Sequence, residues 1–157
     1  MRMRMTARLD GPVAAPRDAQ ARAVARSDAP ALAALMLSAY RGTVDDAGEG
    51  PDEAAAEVHK LLDGGYGVFD ADASEVVLRE GRVVSATLVT EYQGGTMIAF
   101  SLTAPAWQRR GLARAGLLRA MARLRAAGRA RVDLAVTRAN TPAVTLYRSL
   151  GFVEVVD

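Results

Sequence analysis

The chain has 157 residues, half of them apolar, with a net charge of +2, which suits a single domain over 1–157 with a sizeable core. Zero cysteines exclude a disulfide scaffold, a thiolate metal site and a Cys nucleophile, and one histidine (His59) excludes a multi-histidine centre, so no metal is expected. A mean hydropathy near zero without an apolar run of about 18 residues excludes a spanning helix, and no secretory-type stretch follows the start, so a soluble, cytoplasmic domain is expected.

Residues 1–20 alternate Met and Arg, then break at Gly11, Pro12 and Pro16. A short strand over 4–9 and a frayed terminus both stay open. Ser27-Asp28-Ala29-Pro30 opens a helix with a capping oxygen and a Pro in the first turn. Leu32, Leu35, Met36 and Tyr40 form its apolar stripe, and Gly42 ends it. An acidic loop over 43–51 leads to a second helix, 52–63, closed by Gly64-Gly65. The texture then turns β-branched: 75–79 and 82–92 meet at Glu80-Gly81 as a hairpin, and Gly94-Gly95 turns the chain into a third strand, 96–103. A long helix over 111–127, a strand over 132–137, a short helix over 141–150 and a last strand over 152–156 follow. This order predicts an α/β fold with a mixed, mostly antiparallel sheet of six to seven strands flanked by about four helices.

The charge is unevenly spread. From Asp45 to Glu80 eleven acids stand against Lys60 and Arg79, whereas from Tyr92 to Val132 there are eight arginines and no acid. Bias toward Ala and Arg explains the arginines but not the missing acids. A basic stretch suits an anionic partner, either cofactor phosphates or a nucleic acid. Arginines 114, 119, 123 and 125 form no single stripe, so nucleic acid is not expected, nor is a membrane.

The junction Thr103-Ala-Pro-Ala-Trp-Gln-Arg-Arg-Gly-Leu-Ala113 ends a strand and opens a helix. First-turn amides and the positive end of the helix dipole make an anion site there. Gly111 and Ala113 leave the backbone accessible, and Arg109, Arg110 and Arg114 add charge-assisted donors. It is neither a Walker loop nor a dinucleotide fingerprint. Downstream, Asn140-Thr-Pro-Ala-Val-Thr-Leu-Tyr147-Arg-Ser-Leu-Gly-Phe152 can be read residue by residue as a helix cap, a packed Tyr and a C-cap.

Together the two segments resemble the GCN5-related N-acetyltransferase family, whose pattern is V-x-P-x-x-[QR]-x-x-G-x-[GA] followed by N-x-x-A-x-x-[LF]-Y-x-x-x-G-F. Thr103, Pro105, Gln108, Gly111 and Ala113 fill the first part, with Thr for the usual Val and Ala for the second Gly. Asn140, Ala143, Leu146, Tyr147, Gly151 and Phe152 fill the second without departure. The resemblance runs from about Val24 onward and implies acetyl-CoA as cofactor. It implies that the pantetheine arm pairs with the strand end at Leu102 and Thr103, and that the pyrophosphate lies on the amides of Arg109, Arg110, Gly111, Leu112, Ala113 and Arg114. It also implies that Asn140 contacts the arm and that Tyr147 acts as general acid to the leaving thiolate.

The expected reaction is direct transfer of acetyl to a primary amine, small molecule or peptide, with a homodimer as an option. Tyr40, Asp45 and Glu91 are the candidate acceptor-side residues. The general base stays unassigned. Acetyltransferases of ribosomal-protein N-termini carry an acid in the strand before the Asn, where this chain reads Leu134-Ala135-Val136. Asp133, Glu91 and the acidic loop are the nearest carboxylates, and His59 reads as a surface residue. The missing base motivates an alternative, a non-catalytic acyl-CoA-binding sensor of the same fold.

Overall fold

Alternation settles the N terminus. Met3, Met5, Ala7 and Leu9 all lie at 5% exposure or less, while Arg2, Arg4 and Arg8 point to the other face. The structure, a computed structural model, describes residues 1–156. Its strands are β1 (Arg2–Arg8), β2 (Ala21–Arg22), β3 (Val68–Phe69), β4 (Glu75–Arg79), β5 (Arg82–Tyr92), β6 (Gly95–Thr103), β7 (Arg131–Thr137) and β8 (Val153–Glu154). The helices are α1 (Ala29–Tyr40), α2 (Pro51–Leu62), α3 (Leu112–Ala126) and α4 (Thr141–Ser149).

One sheet runs β2-β4-β5-β6-β7-β1-β8, with β3 paired to β5. Pairing is antiparallel except between β6 and β7, which the α3 crossover makes parallel. The eight strands exceed the expected six to seven because β2 and β3 have two residues each, too few to show alternation. The short strand expected over 4–9 is present as β1: it lies inside the sheet, matched to β7 from Arg2↔Thr137 to Arg8↔Arg131, with β8 on its other side.

Both faces are covered. Leu32, Leu35 and Met36 of α1 and Val58 and Leu61 of α2 pack on Val76, Leu88 and Leu102. On the other side Leu117, Met121 and Leu124 of α3 join Met5, Leu134 and Phe152. Each fully buried Leu contributes about 1.5–3 kcal/mol.

A polar clasp also holds α3 to the sheet. Glu75, 1% exposed, accepts from Arg119 Nη2 at 2.6 Å and Nε at 2.9 Å, and from Arg123 Nη1 at 2.9 Å. Arg119 Nη1 donates to the Pro16 carbonyl at 2.8 Å. Gly116 permits this approach, since a Cβ there would stand 2.6 Å from Thr87 Oγ1. Among the described residues no helix is long and apolar enough to cross a membrane.

Candidate active site

The site begins where two strands part. β6 is matched to β5 over eight pairs and β7 to β1 over seven, yet β6 and β7 meet only at Met97↔Asp133 and Ile98↔Leu134. Beyond those pairs the edges of Ala99–Thr103 and Ala135–Thr137 diverge. A bulge contributes: Leu88 faces Phe100 while Val89 faces Ile98, leaving Ala99 as the extra residue on β6. The opening holds a cavity of about 580 Å³, lined by both strands, Tyr40, Asp45, Glu57, Tyr66, Asn140 and Tyr147 among others.

At the far end of β6 the chain turns into α3. Arg109 at φ +64° and Gly111 at φ +79° both adopt left-handed backbone. For Arg109 that conformation costs about 1–2 kcal/mol, and for Gly111 it is ordinary. The turn leaves the first-turn amides of Leu112, Ala113 and Arg114 without intrahelical acceptors. Gln108 Nε2 donates to the Thr103 carbonyl at 3.3 Å, bracing the turn against the strand. Arg110 stacks over Trp107 at 4.6 Å, and Arg114 donates to Ser149 Oγ at 2.7 Å. Leu102 and Leu112 have buried side chains, so only their backbone groups are available to a ligand.

The structure brings Tyr40, Asp45, Asn140 and Tyr147 to one cavity. The Tyr147 phenol stands beside Ser101 of β6; burial, helped by the Asp45 charge, pushes its pKa up against the influence of the Ser101 hydroxyl. Tyr40, at the end of α1, is raised for the same leading reason, desolvation, with Asp45 second. Asp45 is the docking point of the acidic loop. Its Oδ1 accepts from Thr137 Oγ1 at 2.5 Å and its Oδ2 from Asn140 Nδ2 at 3.2 Å. Asn140 also caps α4, its Oδ1 accepting from the Ala143 amide at 3.3 Å. Both polar atoms of that side chain are therefore engaged within the protein.

Glu91 is a correction. It stands at the end of β5, pairs with Arg129 at 2.8 Å, and lines a separate pocket beside the end of α3 rather than this cavity. The arginine stretch is corrected in part as well, because Arg119, Arg123 and Arg129 hold carboxylates of the sheet. His59 is exposed on α2, as expected.

The residues that sequence reasoning missed are Glu57 and Tyr66. Tyr66 donates a short hydrogen bond to Glu57 Oε2, packs edge-on to Phe100 with ring centroids 5.5 Å apart, and lies under Lys60 Nζ at 4.5 Å. Burial first, then Glu57, pushes its phenol up to about 12. No sequence pattern links these two residues.

Comparison with solved structures gives the same fold, a sheet parted beside a helix N terminus. A GCN5-related N-acetyltransferase from Sphaerobacter thermophilus superimposes with TM-score 0.76 at 21% identity, over 98% of this chain and 48% of its own. The PaiA N-acetyltransferase of Thermoplasma acidophilum, solved with coenzyme A, gives TM-score 0.71 at 16% identity, over 87% and 91%. YncA of Salmonella typhimurium, solved with acetyl-CoA, gives 0.64 at 19%, over 86% and 79%. This chain spans about half the length of the Sphaerobacter protein. No curated protein matches.

The acetyltransferase (GNAT) family model matches residues 37–152, and the chain belongs to that family. Acetyl-CoA is the family's cosubstrate. The residues present fit it: two open strand edges can take an extended amide-bearing arm by added-strand pairing. The α3 amides with Arg109, Arg110 and Arg114 suit a pyrophosphate.

Proposed function

We propose that the protein is an acetyl-CoA-dependent N-acetyltransferase that moves acetyl directly to a primary amine, with Tyr147 as general acid. The observation that carries this reading is the partly buried Tyr147 phenol, which lines the cavity at the parting of β6 and β7 together with Ser101. There it can protonate a departing thiolate, whose reference pKa of about 8.5 lies below that of a phenol at about 10. Absence of cysteine leaves direct attack by the amine as the route. In this reading the open edge from Ala99 to Thr103 aligns the acyl arm, and the start of α3 with its arginines receives the phosphates. Tyr40 shapes the acceptor side, while Asp45 and Asn140 fix the loop and α4 around it.

A thermal-shift titration with acetyl-CoA and a free-thiol assay over a panel of amines test the reading. The expected result is stabilisation by acetyl-CoA and thiol release with at least one amine. Tyr147→Phe should lower kcat about 10²-fold with the acetyl-CoA dissociation constant unchanged. Because the Tyr147 pKa is raised, activity should persist through neutral pH, with its alkaline limb above the ordinary phenol value of about 10. Asp45→Asn removes a charge that favours the neutral phenol, so it should bring that limb down. Equal turnover in Tyr147→Phe removes the residue from its role. Stabilisation without turnover on any amine returns the protein to a non-catalytic acyl-CoA-binding module.

A further inference from the structure

An acceptor amine reaches the site mainly as an ammonium, given a reference pKa of about 10.4 for a lysine-type amine, and must lose a proton before its lone pair can attack. The carboxylates near the cavity can be sorted by what already holds them. Both oxygens of Asp45 accept hydrogen bonds, from Thr137 and Asn140. Glu49 also lines the cavity, but it sits in the loop before α2 and its Oε2 accepts the Ala47 amide. Asp133 lies on β7 but does not line the cavity, and Glu91 belongs to Arg129. Among the described residues that line the cavity, Glu57 is the one carboxylate carried by a helix. It projects from a regular helix, α2, into the cavity. Its Oε2 takes the Tyr66 phenol, and among the described residues its Oε1 accepts nothing.

The surroundings tie Glu57 to the acid end. Tyr66, Phe100, Ser101 and Tyr147 all line the same cavity. Tyr66 is fixed edge-on to Phe100, Phe100 precedes Ser101 on β6, and Ser101 and Tyr147 line the cavity together. A second chamber of about 170 Å³ adjoins through shared residues Tyr40, Glu49, Glu57 and Phe100. Glu57 thus lines both chambers, and Tyr147 lines the larger of the two.

We propose that Glu57, oriented by Tyr66, is the general base of the acyl transfer; this rests on the N-acetyltransferase reading above. Glu57 Oε1 takes one N–H proton from the acceptor ammonium, leaving a neutral amine and a carboxylic acid. The amine lone pair forms the new C–N bond to the acetyl carbon as the C–S bond breaks. Tyr147 gives its phenolic proton to the departing sulfur and recovers one from the nitrogen. Glu57 then releases its proton to solvent, so the whole reaction yields amide, thiol and one proton. Tyr66 remains protonated and serves as a positioning residue.

The test compares wild type, Glu57→Gln, Glu57→Asp and Tyr66→Phe. The acceptors are the best amine of the thiol-release panel and a graded series of propylamine, 2-methoxyethylamine and 2,2,2-trifluoroethylamine. With the most basic amine, Glu57→Gln should lower kcat about 10²–10³-fold while acetyl-CoA affinity is unchanged. The deficit should shrink along the series, because the weakest base arrives already neutral. Glu57→Asp keeps a carboxylate and should recover part of the rate, and Tyr66→Phe should show a smaller loss. Spectrophotometric titration of the phenols supplies a readout without turnover: in Glu57→Gln the Tyr66 phenol should ionise at lower pH. Wild-type rates in Glu57→Gln, or a deficit equal for all amines, overturn the base alone. A wild type that binds acetyl-CoA yet acetylates no amine overturns the transfer reading and the base with it.

Discussion

Six of the eight arginines of one stretch, 109–131, fall into two groups that composition cannot tell apart. Arg119, Arg123 and Arg129 each hold a carboxylate of the sheet, at 2.6 to 2.9 Å. Arg109, Arg110 and Arg114, at the start of α3, have no carboxylate partner among the described residues, and Arg110 and Arg114 rest against Trp107 and Ser149 instead. Helix geometry makes the division. From the middle of α3 a cation reaches Glu75 on β4, whereas at the start of the helix Leu112 packs on Val77 and Val84 and the arginines are exposed. A charge run is therefore a mixture of charges that hold the fold and charges that, in the proposed reading, face the ligand, and only the strand beneath each residue sorts them.

The strongest way to break that division is Arg119→Ala. It leaves Glu75, 1% exposed, with Arg123 alone. Removing one partner of a buried pair costs about 3–5 kcal/mol, and at roughly 2–4 °C per kcal/mol for a chain of this size Tm should fall by about 10 °C. Calorimetry measures the loss, and acetyl-CoA affinity at low temperature should not change. A variant that melts like wild type but binds acetyl-CoA poorly would move Arg119 into the ligand-facing group.

The opposite result is expected for Arg110→Ala with Arg114→Ala. Neither side chain holds the core, so stability should change by no more than about 0.5 kcal/mol. Each exposed charge-assisted bond to a phosphate is worth about 1 kcal/mol after solvent screening, so acetyl-CoA should bind about 10–30-fold more weakly, and less so at high salt. S-acetylpantetheine, which lacks the phosphates, serves as the control in the same titration. An equal loss for both ligands would mean that these arginines shape the cavity rather than meet phosphate.

How much of this was legible in the sequence follows the range of each interaction. The four helices and the strands β4 to β7 announce themselves through local period, Gly stops and N-terminal Pro residues, and the structure has them within a residue or two. β1 was half legible: its alternation is in the residues, but its place between β7 and β8 depends on partners more than a hundred positions away. The anion-suited end of α3 and Tyr147 were readable because a strand–turn–helix junction and a spaced motif are themselves local signals. Glu57 and Tyr66 were not, because their contact closes over the Gly64-Gly65 turn. There a Cβ on Gly65 would stand 2.3 Å from Lys60 Cγ, so the turn is folded tightly against the end of α2. Glu91 was misread because nearness in sequence to the strand end said nothing of Arg129 across the edge.

The smallest predicted effect concerns Asn140, where the two groups of interactions meet. The family pattern sends this side chain to the acyl arm, yet its Oδ1 caps α4 and its Nδ2 holds Asp45. If those bonds are its work, Asn140→Ala should cost about 1 kcal/mol, the usual value of a lost N-cap, and lower Tm by about 2–4 °C. The acetyl-CoA dissociation constant should stay close to that of wild type in isothermal titration, while KM for the acceptor rises because Asp45 keeps only Thr137 as its anchor. Asn140→Asp separates the two contributions: it retains the cap but sets a second carboxylate against Asp45, so the acceptor KM should rise further than in Asn140→Ala. A large loss of acetyl-CoA affinity in Asn140→Ala, without the fall in Tm, would instead assign the side chain to the cofactor and leave the cap as incidental.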